Sequence, residues 1–259
     1  MAADHGFGPA DFPAIVAHRG ASSTHPENTL PSFAAALDLG ARILELDVRL
    51  SVDGVAVVMH DPSVDRTTDG KGFVHEMTAD ALARLNAGSS EYAAGVPTLA
   101  QVLQLVSGRG ALALEIKNIP GEPAYDPEEE PIVEAVLDEV ERTGFAGGVL
   151  VLSFNPRSIA AAKRIAPQTP TGFLTTELVP PADALAHAAE NGHDLVLPGT
   201  RSLIPVGEPF VRSAHDAGVR VGTWTADDPE TVRMLLRWGV DAIASNDPAM
   251  ALGVLAEPA

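Results

Sequence analysis

Glu45-Leu46-Asp47 and, thirteen residues after Asp47, His60-Asp61 stand at the ends of two short apolar runs, 43–48 and 55–59. Residues i and i+2 of a strand share a face, so Glu45 and Asp47 set two carboxylates side by side in a segment otherwise suited to burial. Such a pair repels and resists burial unless a cation lies between, and a hard divalent ion fits because it takes oxygen ligands. Leu114-Glu115-Ile116-Lys117 brings a third carboxylate at another strand end, with Lys117 on the same face. Alone, that motif reads as a buried Glu–Lys ion pair. With the other two carboxylates it reads as metal ligation by Glu45, Asp47 and Glu115, by calcium or magnesium rather than zinc, since the trio has no nitrogen or sulfur ligand.

Ala17-His18-Arg19-Gly20 closes the first strand-like run. His18 and His60, facing a common mouth, could act as general base and general acid because imidazole titrates near neutral pH. A lone histidine there would more often be a structural cap. Arg19 offers a planar, permanently charged fork suited to phosphate oxygens, with a salt bridge as its plainer role. Metal, arginine and lysine beside two proton carriers describe phosphoester cleavage.

Nine strand-like runs can position these groups: 14–17, 43–48, 55–59, 111–116, 149–152, 171–174, 195–197, 219–224 and 242–244. Between most of them lie helix signals. Leu30, Phe33, Ala34 and Leu37 have helical spacing between Pro31 and Gly40, Thr98 and Gln101 form a capping box, and Asn155-Pro156 and Asp228-Pro229 are cap-then-proline starts. Alternation over the whole chain predicts a TIM (β/α)8 barrel, with a doubly wound open sheet as rival. Polar residues at many strand ends (His18, Asp47, His60, Glu115, Ser153, Trp224) favour the barrel, where all ends meet at one mouth. The ninth run is resolved if Asp53-Gly54 closes a two-residue hairpin, with Val52 facing Val55 and Asp47 opposite His60. An extended loop between two parallel strands is the other option. One domain over 1–259 is expected, with an insertion at about 61–95 after the third run, and a tail that frays from Gly253.

The chain carries a formal charge of −18, which argues against nucleic acid or an anionic membrane as partner. It has no cysteine, excluding disulfides and thiolate metal sites. Residues 1–12 lack the basic and apolar regions of a secretory signal, and no apolar run nears the ~20 residues of a membrane span, so a soluble cytoplasmic protein is expected. Its oligomeric state is not legible.

The segments AHRGASSTHPENTLPSF, GARILELDVRLSVDGVAVVMHDPSVDRTTDGKG, PTLAQVL, LALEIK, LSFNP and VGTWTADDPE, in this order over nearly the whole chain, resemble the glycerophosphodiester phosphodiesterase family. The resemblance implies a TIM barrel and hydrolysis of glycerophosphodiesters, a small-molecule substrate, to glycerol 3-phosphate and an alcohol. It implies His18 and His60 as the acid/base pair, Glu45, Asp47 and Glu115 as metal ligands, and Arg19 and Lys117 as phosphate holders. Trp224 would line the mouth against the alcohol, and Asn28 of PENT would lie near the site. It further implies attack by the substrate's own glycerol 2-hydroxyl through a cyclic phosphate; which histidine acts first is left open. Related phospholipase C- or D-type lipid phosphodiesterases, or an inactive binding module, are the alternatives. One departure is Ala244-Ser245-Asn246-Asp247-Pro248, where the family often has Thr-Asp, another residue and Pro. Asn246 then replaces an acid, outside the core constellation.

Overall fold

The computed structural model describes Phe7, residues 11–89 and residues 91–258. Most of residues 1–12, on which the reading about a leader rested, lie outside that set. Strands β1 (Ala14–His18), β2 (Ile43–Leu50), β3 (Ala56–Val58), β4 (Ala111–Ile116), β5 (Val149–Ser153), β6 (Thr171–Thr175), β7 (Leu195–Pro198), β8 (Arg220–Thr223) and β9 (Ala242–Ser245) form one sheet. Eight are parallel, and the pairing of β1 with both β9 and β2 closes them into a TIM barrel.

Helices α1 (Leu30–Asp38), α2 (Ala79–Ala83), α3 (Leu99–Val106), α4 (Pro131–Thr143), α5 (Pro156–Ile165), α6 (Pro181–Glu190), α7 (Thr200–Asp216), α8 (Pro229–Arg237) and α9 (Pro248–Leu255) accompany the strands. Proline opens α4, α5, α6, α8 and α9, where its missing N–H costs nothing and its fixed φ suits the first turn. Thr29, Thr98, Asn155, Asp228 and Asp247 cap their helices by accepting a backbone N–H, and Thr98 with Gln101 completes a capping box. Helix α7 is kinked at Gly207, between Pro205 and Pro209. The chain does not fray at Gly253: α9 continues to Leu255 because Val254 is buried against the barrel. Among the described residues no helix is long and apolar enough to cross a membrane.

Strand β2 is longer than its neighbours, and that length organises the mouth. Its first half pairs with β1, ending at His18 opposite Glu45. Beyond His18 the same edge is taken over by β3, antiparallel, with Val48 opposite Val58. The ninth run is therefore a hairpin partner of β2 and not a barrel strand. Its register differs from expectation by one residue. The turn is a three-residue loop, Val52-Asp53-Gly54, with Gly54 at φ 75°, and Ser51 N donates to Val55 O at 3.0 Å. Asp47 consequently faces Met59, whose N–H donates to its carbonyl at 3.0 Å, rather than His60.

Residues 61–97 rise above this edge around a small core of Val57, Met59, Val64, Val74, Leu82, Ala87 and Val96. The chain returns beside β3, where Val58 N donates to Pro97 O, before α3 begins.

Candidate active site

Sheet register alone assembles the carboxylates. Glu45 and Asp47 share a face of β2, Glu45 lies level with His18 on β1, and Asp47 lies level with Glu115 on β4. One ligand oxygen from each of the three lies within 4.8 Å of the others. Two oxygens bound to one ion at ~2.3–2.6 Å can be no more than ~5 Å apart, so the spacing fits a shared cation. Glu45 Oε1 is buried and accepts no hydrogen bond within the described chain, and Asp47 Oδ1, buried too, meets only the Lys117 ammonium. A buried carboxylate oxygen without a partner, as Glu45 Oε1 is, is costly, and a hard cation would complete it. The donor set therefore fits Ca2+ or Mg2+.

The electrostatics match that fit. Burial, then the charge of Asp47, pushes Glu45 up to about 8. Burial also raises Glu115, to about 7, against the pull of Lys117. Burial works the same way on Asp47, but Lys117 and then Arg19 hold it well below the usual carboxylate range. Lys117 Nζ lies 2.7 Å from Glu115 Oε1 and 3.2 Å from Asp47 Oδ1. Arg19 Nε lies 3.2 Å from Asp47 Oδ2, and the Arg19 main-chain N–H donates to Glu45 Oε2 at 3.0 Å.

Both imidazoles stand beside the cluster with unlike partners. His60 Nδ1 is 2.6 Å from the Asp61 carboxylate. His18 Nδ1 is 2.7 Å from the amide oxygen of Asn246, and its Nε2 is 3.9 Å from Glu45 Oε2. Burial lowers both histidines from their ordinary value. Asn246 thus touches the constellation from which the sequence reading had set it apart.

A cavity opens at the mouth. His18, Arg19, Glu45, His60 and Glu115 form one side, with Phe154, Leu197 and Trp224 opposite. Trp224 is fixed by a 3.0 Å bond from Nε1 to Leu197 O and meets Phe154 edge-on, with centroids 5.2 Å apart. Lys117 reaches the carboxylates from beside this cavity and lines a neighbouring cleft with Arg49 and Asn118. Asn28 does not face the mouth cavity. It is buried at φ 57°, and its Nδ2 donates to Asp47 Oδ2 at 2.7 Å; Thr29, not Asn28, caps α1.

Sequence reasoning missed three further contributors. Arg49 shares the face of Glu45 and Asp47 by the period-2 rule, a signal that was present and unread. Glu27 and Arg66 had no local signal. Arg66 pairs with both Asp61 and Glu27, and Glu27 pairs with Arg19, so a chain of charges runs from His60 to Arg19.

Residues 18–250 match the glycerophosphoryl diester phosphodiesterase family. The chain is 36% identical over 241 residues to a glycerophosphodiester phosphodiesterase of Caldanaerobacter subterraneus, covering 90% of this chain and 94% of that protein. It is 31% identical over 254 residues to a glycerophosphodiester phosphodiesterase of Bacillus altitudinis, covering 94% and 98%. An Oleispira antarctica phosphodiesterase, solved in complex with the product sn-glycerol-3-phosphate, superposes with a TM-score of 0.86 at 27% identity, covering 96% of this chain and 98% of that one. The matched span begins at His18 and takes in the carboxylates, both imidazoles and Asn246, so site and family coincide: the chain belongs to the glycerophosphoryl diester phosphodiesterase family.

Proposed function

We propose that this mouth hydrolyses glycerophosphodiesters to glycerol 3-phosphate and an alcohol, with His18 and His60 carrying the protons. The observation that supports this most is the cluster of three buried carboxylates, within 4.8 Å of one another and flanked by two imidazoles. The product complex of the Oleispira relative supports the substrate class.

Glu45, Asp47 and Glu115 would hold a Ca2+ or Mg2+ ion, which supplies Lewis-acid charge beside the phosphoryl group. Arg19 and Lys117 bind phosphate oxygens and set the diester in line. One imidazole takes the proton of the glycerol 2-hydroxyl as that oxygen bonds to phosphorus. The bond to the leaving oxygen breaks, and the other imidazole protonates the departing alcohol. Water then opens the five-membered cyclic phosphate while the two imidazoles exchange roles, which restores the starting protonation. An internal nucleophile gains the effective-molarity advantage of a positioned group. Phe154 and Trp224 form the wall against which the leaving alcohol packs.

The test is an activity panel. Glycerophosphodiesters with choline, ethanolamine, glycerol and inositol head groups are incubated with enzyme and either Ca2+ or Mg2+, and released glycerol 3-phosphate is measured. Release from at least one substrate, lost on chelation, is expected; no release from any of them refutes the reading.

A further inference from the structure

His18 is held by a neutral amide, and the amide is itself held. Asn246 Oδ1 lies 2.7 Å from His18 Nδ1. On its other side Asn246 is clamped to one carboxylate: Nδ2 donates to Asp227 Oδ2 at 2.7 Å, and the main-chain N–H donates to Asp227 Oδ1 at 2.7 Å. Ser245 Oγ adds a third bond to Asp227 Oδ1 at 3.1 Å. This clamp decides which way the amide faces. Turned over, it would set Oδ1 against the Asp227 carboxylate, acceptor against acceptor. Ser22 Oγ lies 2.8 Å from His18 O and 3.0 Å from Oδ1, and with one proton to give it does not itself decide the orientation; the Asp227 clamp does. An oxygen therefore faces His18, and Nδ1 must carry the proton that bonds to it.

The neighbouring charges would arrange the ring differently. Nε2, 3.9 Å from Glu45 Oε2, is the ring nitrogen on the carboxylate side, where the charges of Asp47 and Glu115 draw a proton and so favour the opposite tautomer. The shorter bond to Asn246 holds the proton at the back of the ring. His60 needs no such intermediary, since Asp61 meets its Nδ1 directly.

We propose that Asn246, anchored by Asp227, is a positioning residue that fixes the His18 ring in its Nδ1–H tautomer and leaves the Nε2 lone pair facing the mouth. The inference rests on the phosphodiesterase reading for its kinetic consequence, but its structural content stands apart from activity. It also gives a role to the position where this chain departs from the pattern it resembles. An amide suffices there because Asp227, one residue further out, supplies the carboxylate.

The experiment combines nitrogen NMR of ring-labelled histidines with steady-state kinetics. His18→Gln identifies the His18 signals. The wild-type protein should show His18 protonated at Nδ1 in its neutral form. Asn246→Leu, similar in shape but without an acceptor, should move His18 toward the Nε2–H form. It should lower kcat by roughly 10–100-fold with KM changed by less than about threefold, the pattern of a lost orienting partner. Asn246→Asp together with Asp227→Asn exchanges the two partners, keeps an acceptor toward His18 without setting two carboxylates against each other, and should keep both the tautomer and kcat within about threefold. Asp227→Ala, at an exposed position, should release the amide and give an intermediate loss on the order of tenfold in both readouts. Wild-type tautomer and kcat in Asn246→Leu overturn the proposal. Should that variant not fold, an unchanged tautomer and kcat in Asp227→Ala overturn it equally. A wild-type protein inactive on every glycerophosphodiester removes the functional reading, while the NMR result still decides whether Asn246 sets the tautomer.

Discussion

The guanidinium of Arg49 donates twice to the main-chain carbonyl of His60, from Nε at 3.0 Å and Nη2 at 2.6 Å. Its other edge forms a bidentate pair with Glu122, at 2.6 and 3.1 Å. Arg49 stands two residues beyond Asp47 on the same face of β2, so one strand carries both a carboxylate of the cluster and the clamp on an imidazole.

Replacing Arg49 with Lys tests that clamp. An ammonium cannot span the carbonyl and the carboxylate in one plane. The variant should lose roughly tenfold in kcat and on the order of 1–3 kcal/mol of stability, the range for a broken charged hydrogen bond. Steady-state kinetics with thermal unfolding would read both, and wild-type values in both would mean that the His60 carbonyl needs no such anchor.

Glu45→Gln should act in opposite directions on stability and on metal binding. Burial and Asp47 push Glu45 up to about 8, above its unfolded value of 4.5. The metal-free native state therefore loses stability as pH rises from 4.5 through about 8, because the unfolded chain ionises first. The glutamine variant escapes this loss. In chelator its Tm should exceed that of wild type, by a margin that widens over this pH window. Added Ca2+ or Mg2+ should raise the wild-type Tm and leave the variant unmoved. A variant less stable than wild type in chelator at pH 8 would contradict this account of the cluster.

His18→Ala and His60→Ala should each lower kcat by roughly 10²–10⁴-fold with the fold intact, as for a lost acid or base. Circular dichroism controls for folding. Near-wild-type turnover in either variant takes that residue out of the mechanism.

A deoxy diester lacking the glycerol 2-hydroxyl separates cyclisation from direct hydrolysis. It keeps its phosphate contacts and should bind as a competitive inhibitor with little change in affinity. It should scarcely turn over, because the internal nucleophile and its advantage of up to ~7–11 kcal/mol are gone. Turnover comparable to the parent diester would point to water as the first nucleophile.

Away from the mouth, His193 should make the fold acid-sensitive. It is buried, with Nδ1 2.9 Å from Thr171 Oγ1 and its ring stacked at 5.7 Å on His187; Asp194 and Lys163 lie close by. Burial, then His187, pushes it down to about 4. The unfolded chain takes up this proton near 6.5 and the native state only near 4. The stability concerned is thus present above pH 6.5 and lost as pH falls toward 4. Unfolding curves of His193→Gln should fall less steeply over that window, by up to about 3 kcal/mol. Parallel curves for the two proteins would show that His193 titrates normally in the native state.

What the sequence makes legible is whatever rests on short periods. The pairing of Glu45 with Asp47, the helix starts at Asn155-Pro156 and Asp228-Pro229, and the alternation that builds the barrel all follow from spacing within a few residues. Contacts across the mouth do not. Asn246 meets His18 from 228 residues away, and Glu122 meets Arg49 from 73, so only barrel closure brings them together. The hairpin register is not fixed by the sequence, because Asp53-Gly54 also suits a three-residue loop, in which Gly54 alone takes the left-handed conformation. Asn28 stands out by its motif, and its bond to Asp47 sets it against the carboxylate cluster.

Because β1 and β3 lie in turn along one edge of β2, a single continuous strand acts as the ruler between the two proton carriers. His18 is level with Glu45, and Met59, the residue before His60, is bonded to Asp47, so both proton carriers are indexed to neighbouring residues of one rigid element. The 61–97 excursion packs on that ruler through Val57 and Met59. None of its described residues lines the mouth cavity, so what it does to the chemistry passes through the strand it rests on and through Arg66, which bridges Asp61 and Glu27.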